Sequence, residues 1–147
     1  PTTVPVQPTT VPVQPTTVPV QPTTVTVNRS SNGSVHIANL DAESWGAGGG
    51  KWALYLDITV ADNNGRQISG VTVTGRRSDG TTFTCITDGG WCGVRKNDIP
   101  TSQQSITFTV VNLSHPSLSY NASANTDPDA NRNNNRASNG TVITINL

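Results

Sequence analysis

Trp52-Ala-Leu-Tyr-Leu-Asp-Ile-Thr-Val60 is the stretch that decides the fold of this 147-residue chain. Large apolar residues occupy its even positions, and the odd positions hold smaller or more polar residues. Because successive side chains of a β-strand point to opposite faces, this alternation predicts a strand with one buried face.

Shorter runs with the same alternation lie on both sides of this stretch, at Val35–Ile37, Val71–Val73, Ile106–Val110 and Ile143–Leu147. Turn signals such as Asp62-Asn-Asn-Gly65 separate the runs, and no window favours a helix of useful length. The pattern predicts an all-β fold, an antiparallel β-sandwich of six to eight short strands. Its predicted core contains Trp52, Leu54, Leu56, Ile58, Val71, Val73, Ile106, Phe108 and Val110.

Residues 1–28 differ from the rest of the chain in composition. They read PTTVPVQ three times and then PTTVTVN, without a charged residue. Proline at alternating spacings of four and three excludes a helix and favours extended geometry. At about 3.1 Å per residue this tail would extend to roughly 85 Å. We therefore divide the chain into an extended tail, residues 1–28, and a sandwich domain, residues 29–147.

The charge content excludes two broad classes of protein. Charged residues make up 12% of the chain and the net charge is zero. A neutral chain without a basic run is a poor nucleic-acid binder. The longest apolar stretch, Trp52–Ala61, contains Asp57 and is too short to span a bilayer. The sequence predicts neither a nucleic-acid partner nor a membrane span.

The two cysteines, Cys85 and Cys92, enclose six residues. A zinc site would need two further ligands, and the two histidines fit no common zinc spacing. A local disulfide is the preferred interpretation, and it indicates an oxidising compartment. We therefore expect an extracellular or cell-surface protein.

Several stretches resemble bacterial immunoglobulin-like domains of secreted and surface proteins. The resemblance rests on the stretch from Trp52 to Val73, on Cys85-Ile-Thr-Asp-Gly-Gly-Trp-Cys92, and on Tyr120–Asp129 followed by Asn139–Thr144. It implies an immunoglobulin-like sandwich with an accessory role in spacing, adhesion or assembly. The tail resembles the Thr/Pro stalks of glycosylated surface proteins and extracellular fibrils.

Motifs for catalysis are missing from the sequence. There is no Gly-x-Ser-x-Gly elbow, and the nine acidic residues are scattered without a spacing that selects a catalytic pair. We therefore expect a protein that is not an enzyme and needs no cofactor.

The segment from Asn121 to Gly140 is the best candidate for a metal site. Asp127, Asp129 and Asn131, with Asn125 or Asn133 as a further ligand, offer the oxygen atoms that calcium prefers. The spacing is not that of an EF-hand. A solvated Asn-rich loop and a contact with a partner are the two alternatives.

Two tryptophans allow two interpretations. Trp45 lies beside a run of glycines, and Trp91 lies inside the cysteine loop. Packing against the domain is the favoured interpretation for both, and an exposed stacking surface for sugars is the alternative.

The tail suggests modification and assembly. Regular threonines beside proline in an extended segment are typical of O-glycosylation, which makes candidates of Thr2, Thr3, Thr9, Thr10, Thr16, Thr17, Thr23 and Thr24. Thr26 stands where the earlier repeats have a second proline, so Val25, Thr26 and Val27 could pair as a strand with a sheet.

From these features we predict an extracellular structural protein, a filament or fibril subunit that assembles head to tail with copies of itself through the tail. The alternative is a non-catalytic accessory or adhesion module, binding carbohydrate or cell wall, on a Thr/Pro stalk.

Overall fold

The fold is a two-sheet β-sandwich, as the alternation predicts. The computed structural model describes residues 33–128 and 138–147. These residues contain no helix that could span a membrane. The strands are β1 (Ser34–Gly48), β2 (Lys51–Asp62), β3 (Thr72–Arg77), β4 (Thr82–Ile86), β5 (Trp91–Pro100), β6 (Ser105–Ser114), β7 (Ser119–Tyr120) and β8 (Val142–Asn146), with a single 3₁₀ turn at Ala122–Ala124.

The eight strands of the described residues form two four-stranded sheets. Sheet I has the order β5-β2-β1-β7, and sheet II has the order β4-β3-β6-β8. All pairs are antiparallel except β1 with β7, which run parallel over two residues. The central stretch identified in the sequence is β2, and it pairs with β1 on one side and β5 on the other.

The core lies between the two sheets and contains every residue predicted for it. All nine predicted core residues are at most 4% exposed. Trp52 is fully buried, and its indole Nε1 donates a hydrogen bond to the Gln103 carbonyl oxygen at 2.8 Å. Phe83 and Phe108 meet edge to face with ring centroids 5.4 Å apart. The space for the Phe83 ring exists because position 75 is glycine, since a Cβ there would overlap that ring.

The first strand is longer than the sequence pattern indicates. Val35 and Ile37 face the core, and so do Leu40 and Ala42, so the alternation skips one position. The cause is an irregularity in the β1–β2 register between Ile37 and Asn39. An extra residue at a bulge reverses which face the following side chains occupy. This break in periodicity hides the strand from sequence reasoning.

Candidate functional site

The two sides of the sandwich differ in how their edges are closed. On one side lie the edge strands β4 and β5, which belong to different sheets. Cys85 of β4 and Cys92 of β5 form a disulfide with an S–S distance of 2.03 Å. The predicted disulfide is therefore confirmed, and it joins sheet I to sheet II. It indicates an oxidising environment.

Strand β5 also carries features that discourage pairing with another strand. Lys96 is opposite the buried Leu54, at a register position that faces the core side. β5 has one more residue between Lys96 and Ile99 than β2 has between their partners, and this bulge interrupts the β2–β5 ladder. Asp98, which lies in the bulge, has a φ of 56°. Inward-pointing lysine and bulges are common means by which natural edge strands avoid further pairing.

The opposite side is bordered by β1 of sheet I and β8 of sheet II. Strand β7 covers β1 only at Ser34 and Val35. Beyond that point, β2 is the only strand among the described residues that pairs with β1, from Asn39 to Gly48. The Ser44 hydroxyl donates to the Asn146 carbonyl oxygen at 2.7 Å and connects the two edges. We call β1 from Asn39 to Gly46 the open edge.

The open edge lacks the inward lysine and the internal bulge seen on β5. It contains no proline and no lysine. Its register with β2 is regular from Asn39 to Gly46. Every second residue of such an edge directs its N–H and C=O away from the paired strand, toward solvent or toward a further strand. The geometry is suited to accepting one more β-strand.

The beginning of β1 is closed by the side chain of Asn125. Its Oδ1 accepts a hydrogen bond from the Ile37 N–H at 2.9 Å, in the position that a neighbouring strand would otherwise fill. Its Nδ2 donates to Tyr120 Oη and to Thr141 Oγ1, both at 2.8 Å. Asn125 therefore fastens three segments together, a role that its sequence context does not signal.

The predicted calcium ligands are only partly placed by the structure. Asn125 uses its side-chain oxygen in the contact with Ile37, so we do not assign it to a metal site. Asp127 is half-buried, whereas Asp129, Asn131 and Asn133 lie outside the described residues. Over residues 33–128 and 138–147, no group of three His, Cys, Asp or Glu side chains is arranged to hold a metal. The calcium site stays a prediction.

The predicted tail sites also lie outside the described residues. These are the eight threonine candidates for O-glycosylation, Thr2 to Thr24, and the candidate assembly strand Val25–Val27. Both stay predictions.

The outer face of sheet I gathers aromatic and acidic side chains that are distant in the sequence. The strand register places them in adjacent rows across β1, β2 and β5, which read Asn39–Thr59–Trp91, Asp41–Asp57–Gly93, Glu43–Tyr55–Arg95 and Trp45–Ala53. Trp91 is 51% exposed and Trp45 is 37% exposed. The favoured interpretation that both tryptophans pack against the domain is wrong for Trp91.

One carboxyl on this face has an altered protonation equilibrium. Partial burial raises the pKa of the Asp57 carboxyl above its ordinary value. A hydrogen bond from the Ile58 backbone opposes the rise in pKa, and the nearby Glu43 carboxylate adds to it. Asp57 also lies directly opposite Asp41 in the β1–β2 register. Carboxyl groups of β1 and β2 are therefore adjacent on this face.

Comparison of the chain with protein-family models, with curated proteins and with solved structures found no match.

Proposed function

We propose that this chain is the subunit of an extracellular filament, in which the tail of one copy adds a strand to the open edge of the next copy. The observation that supports this most strongly is the contrast between the two sides of the sandwich. Strand β5 is interrupted and carries an inward lysine, whereas the open edge from Asn39 to Gly46 is regular and lacks both features. Addition of an extended segment to such an edge is a common mode of recognition.

The last repeat of the tail has the chemistry that strand addition needs. Val25 and Val27 alternate with Thr24 and Thr26, so one face of the added strand would be apolar and the other polar. The apolar face would turn inward beside Leu40 and Ala42. Thr26 supplies a backbone N–H where the earlier repeats have proline, which cannot donate to a ladder.

A second copy supplies this strand more readily than the same chain does. β7 and Asn125 occupy the beginning of β1, so the open edge starts six residues beyond Gly33. The chain's own tail would have to turn back at Gly33 and pass β7 and Asn125 before it reached the open edge. The tail of another copy has no such constraint.

Exchange of this kind between copies does not close on itself. Each copy donates a tail and accepts one at a different surface, which is a heterologous contact. Repeated contacts of this type produce an open polymer. The roughly 85 Å length estimated for an extended tail also allows the three proline-bearing repeats to lie along a further neighbour.

An extracellular location is part of the proposal. The disulfide supports it through the oxidising environment that it indicates. The resemblance to bacterial immunoglobulin-like domains and to glycosylated stalks points the same way. O-glycans on the tail threonines would be compatible with assembly if they project from the polar face of each repeat.

The test is a single substitution in the tail of the full-length protein. Thr26→Pro restores the proline found in the other repeats and removes the backbone donor, so we expect filaments to be lost in electron microscopy and in sedimentation. Thr26→Ser keeps the donor and is the matched control, with filaments expected as in the wild type.

Two results would overturn the proposal. One is a wild-type protein that stays monomeric at high concentration. The other is a Thr26→Pro protein that forms the same filaments as the Thr26→Ser protein.

A further inference from the structure

A second surface presents the features of a ligand site. It is the outer face of sheet I, and we call it the aromatic face; it shares β1 with the open edge, and its members are Asp41, Glu43, Trp45, Tyr55, Asp57, Trp91 and Arg95. Exposed aromatic side chains grouped with polar ones commonly mark binding surfaces.

The three aromatic residues lie along a diagonal of the sheet. Trp45 is in β1, Tyr55 in the central strand β2, and Trp91 in β5. With about 3.3 Å per residue and 4.8 Å between strands, their Cα atoms are separated by about 8 Å and then about 14 Å. The line is therefore about 22 Å long, on a sheet surface rather than in a deep pocket. This geometry fits an extended chain better than a single small molecule.

The middle aromatic side chain reaches across to the neighbouring strand. A Cβ on Gly93 would overlap the ring and the hydroxyl of Tyr55, so the Tyr55 side chain crosses from β2 over the backbone of β5. Only glycine at position 93 leaves room for this arrangement. Tyr55 is half-buried, so part of its side chain is open to a ligand.

The ring of Trp45 is held in place by a charged neighbour. The guanidinium carbon of Arg95 lies 5.2 Å from the centroid of the Trp45 ring, which is within the range of a cation–π contact. The Arg95 Nε also donates to Asn97 Oδ1 at 2.9 Å. These two contacts restrict Arg95 and orient its remaining donors at the border of the face.

Like charges on this face oppose its stability. Asp57 is half-buried and the Glu43 carboxylate lies near it, and like charges on neighbouring strands are destabilising. The Asn39 Nδ2 donates to Asp41 Oδ2 at 2.8 Å, which fixes the carboxylate opposite Asp57. Arrangements that reduce stability are characteristic of functional sites.

We propose that the aromatic face binds a neutral polysaccharide in an extended conformation. The rings of Trp45, Tyr55 and Trp91 would stack on the apolar C–H faces of the pyranose units. Glu43 and Asp57 would accept hydrogen bonds from sugar hydroxyls, which are stronger when the acceptor is charged. Because these two carboxylates would repel a polyanion, we expect the polymer to be neutral.

The test measures binding of the full-length protein to cellohexaose and chitohexaose by calorimetry, with polygalacturonate as the anionic comparison. We expect the wild type to bind at least one of the two neutral hexasaccharides, with a change in tryptophan fluorescence. Trp91→Ala and Tyr55→Ala should each weaken that binding about tenfold or more, as removal of a central aromatic contact does.

Ile86→Ala is the matched control, because Ile86 is 66% exposed but lies on β4 of sheet II. Its affinity should equal that of the wild type. The proposal is overturned if the wild type binds neither neutral hexasaccharide, if it prefers polygalacturonate, or if Trp91→Ala and Tyr55→Ala bind as tightly as Ile86→Ala. Since each measurement can be made on variants that carry Thr26→Pro, the outcome is separable from that of filament assembly.

Discussion

Replacement of Asn125 by alanine should destabilise the domain more than its half-buried position suggests. The side chain makes three hydrogen bonds, which join β1, β7 and the segment that leads into β8. A typical hydrogen bond contributes about 0.5–1.5 kcal/mol net to stability. The three together predict a loss of about 3 kcal/mol, with a range of about 1.5 to 4.5 kcal/mol.

Asn125→Asp is the control that separates hydrogen bonding from packing. A carboxylate keeps the acceptor for the Ile37 N–H, and the hydroxyls of Tyr120 and Thr141 can rotate to donate to its second oxygen. We expect Asn125→Asp to lower the free energy of unfolding by no more than about 1.5 kcal/mol.

Urea denaturation measures both losses, provided that the dependence of the free energy of unfolding on urea stays unchanged. The reasoning is refuted if Asn125→Ala lies within about 0.5 kcal/mol of the wild type, a change typical of a neutral surface position. It is also refuted if Asn125→Asp is as destabilising as Asn125→Ala.

Two further substitutions test the core and the aromatic face by the same denaturation assay. Gly75→Ala should lower the free energy of unfolding by about 1–3 kcal/mol, because the new Cβ would overlap the Phe83 ring. Gly46→Ala is the control and should be nearly neutral, since no atom lies within 4 Å of its new Cβ. Equal effects of the two substitutions would contradict the packing described. Asp57→Asn should raise stability at pH 7 by about 0.2–1 kcal/mol because it removes a partly buried charge near the Glu43 carboxylate. Since the folded-state pKa of Asp57 is raised, the wild type loses stability as the pH rises from about 3.8 through that pKa. The stability gained by Asp57→Asn should therefore vanish below pH about 3.8. A gain that persists at that low pH would contradict this cause.

The core was predictable because it depends on periodicity alone. Alternation in β2 and β6 identified residues such as Leu56 and Phe108, and both are buried. The same principle failed in β1, where the bulge after Ile37 moves Leu40 out of phase with Val35. A single extra residue therefore conceals the strand that forms the open edge.

The candidate sites depend on information that periodicity does not contain. Trp45, Tyr55 and Trp91 form one face only because β1, β2 and β5 are neighbours in sheet I, and sheet order follows from long-range pairing. Asn125 looks like any loop asparagine until its partner strands are known. The disulfide was predictable in its pairing, whereas the fact that it joins the two sheets was not.

Crosslinking between copies tests most directly whether the tail of one molecule lies on the open edge of another. One full-length variant would carry a cysteine at Val25 or Val27, and a second would carry it at Ser44; the native cysteines are joined to each other and do not compete. Neighbouring strands bring Cα atoms within disulfide range. When the two variants are mixed and oxidised, the proposal predicts disulfide-linked pairs of one tail variant with one Ser44 variant. Ile86→Cys, on the opposite side of the sandwich, should give none. Absence of these pairs, or equal crosslinking to position 86, would contradict the proposed assembly.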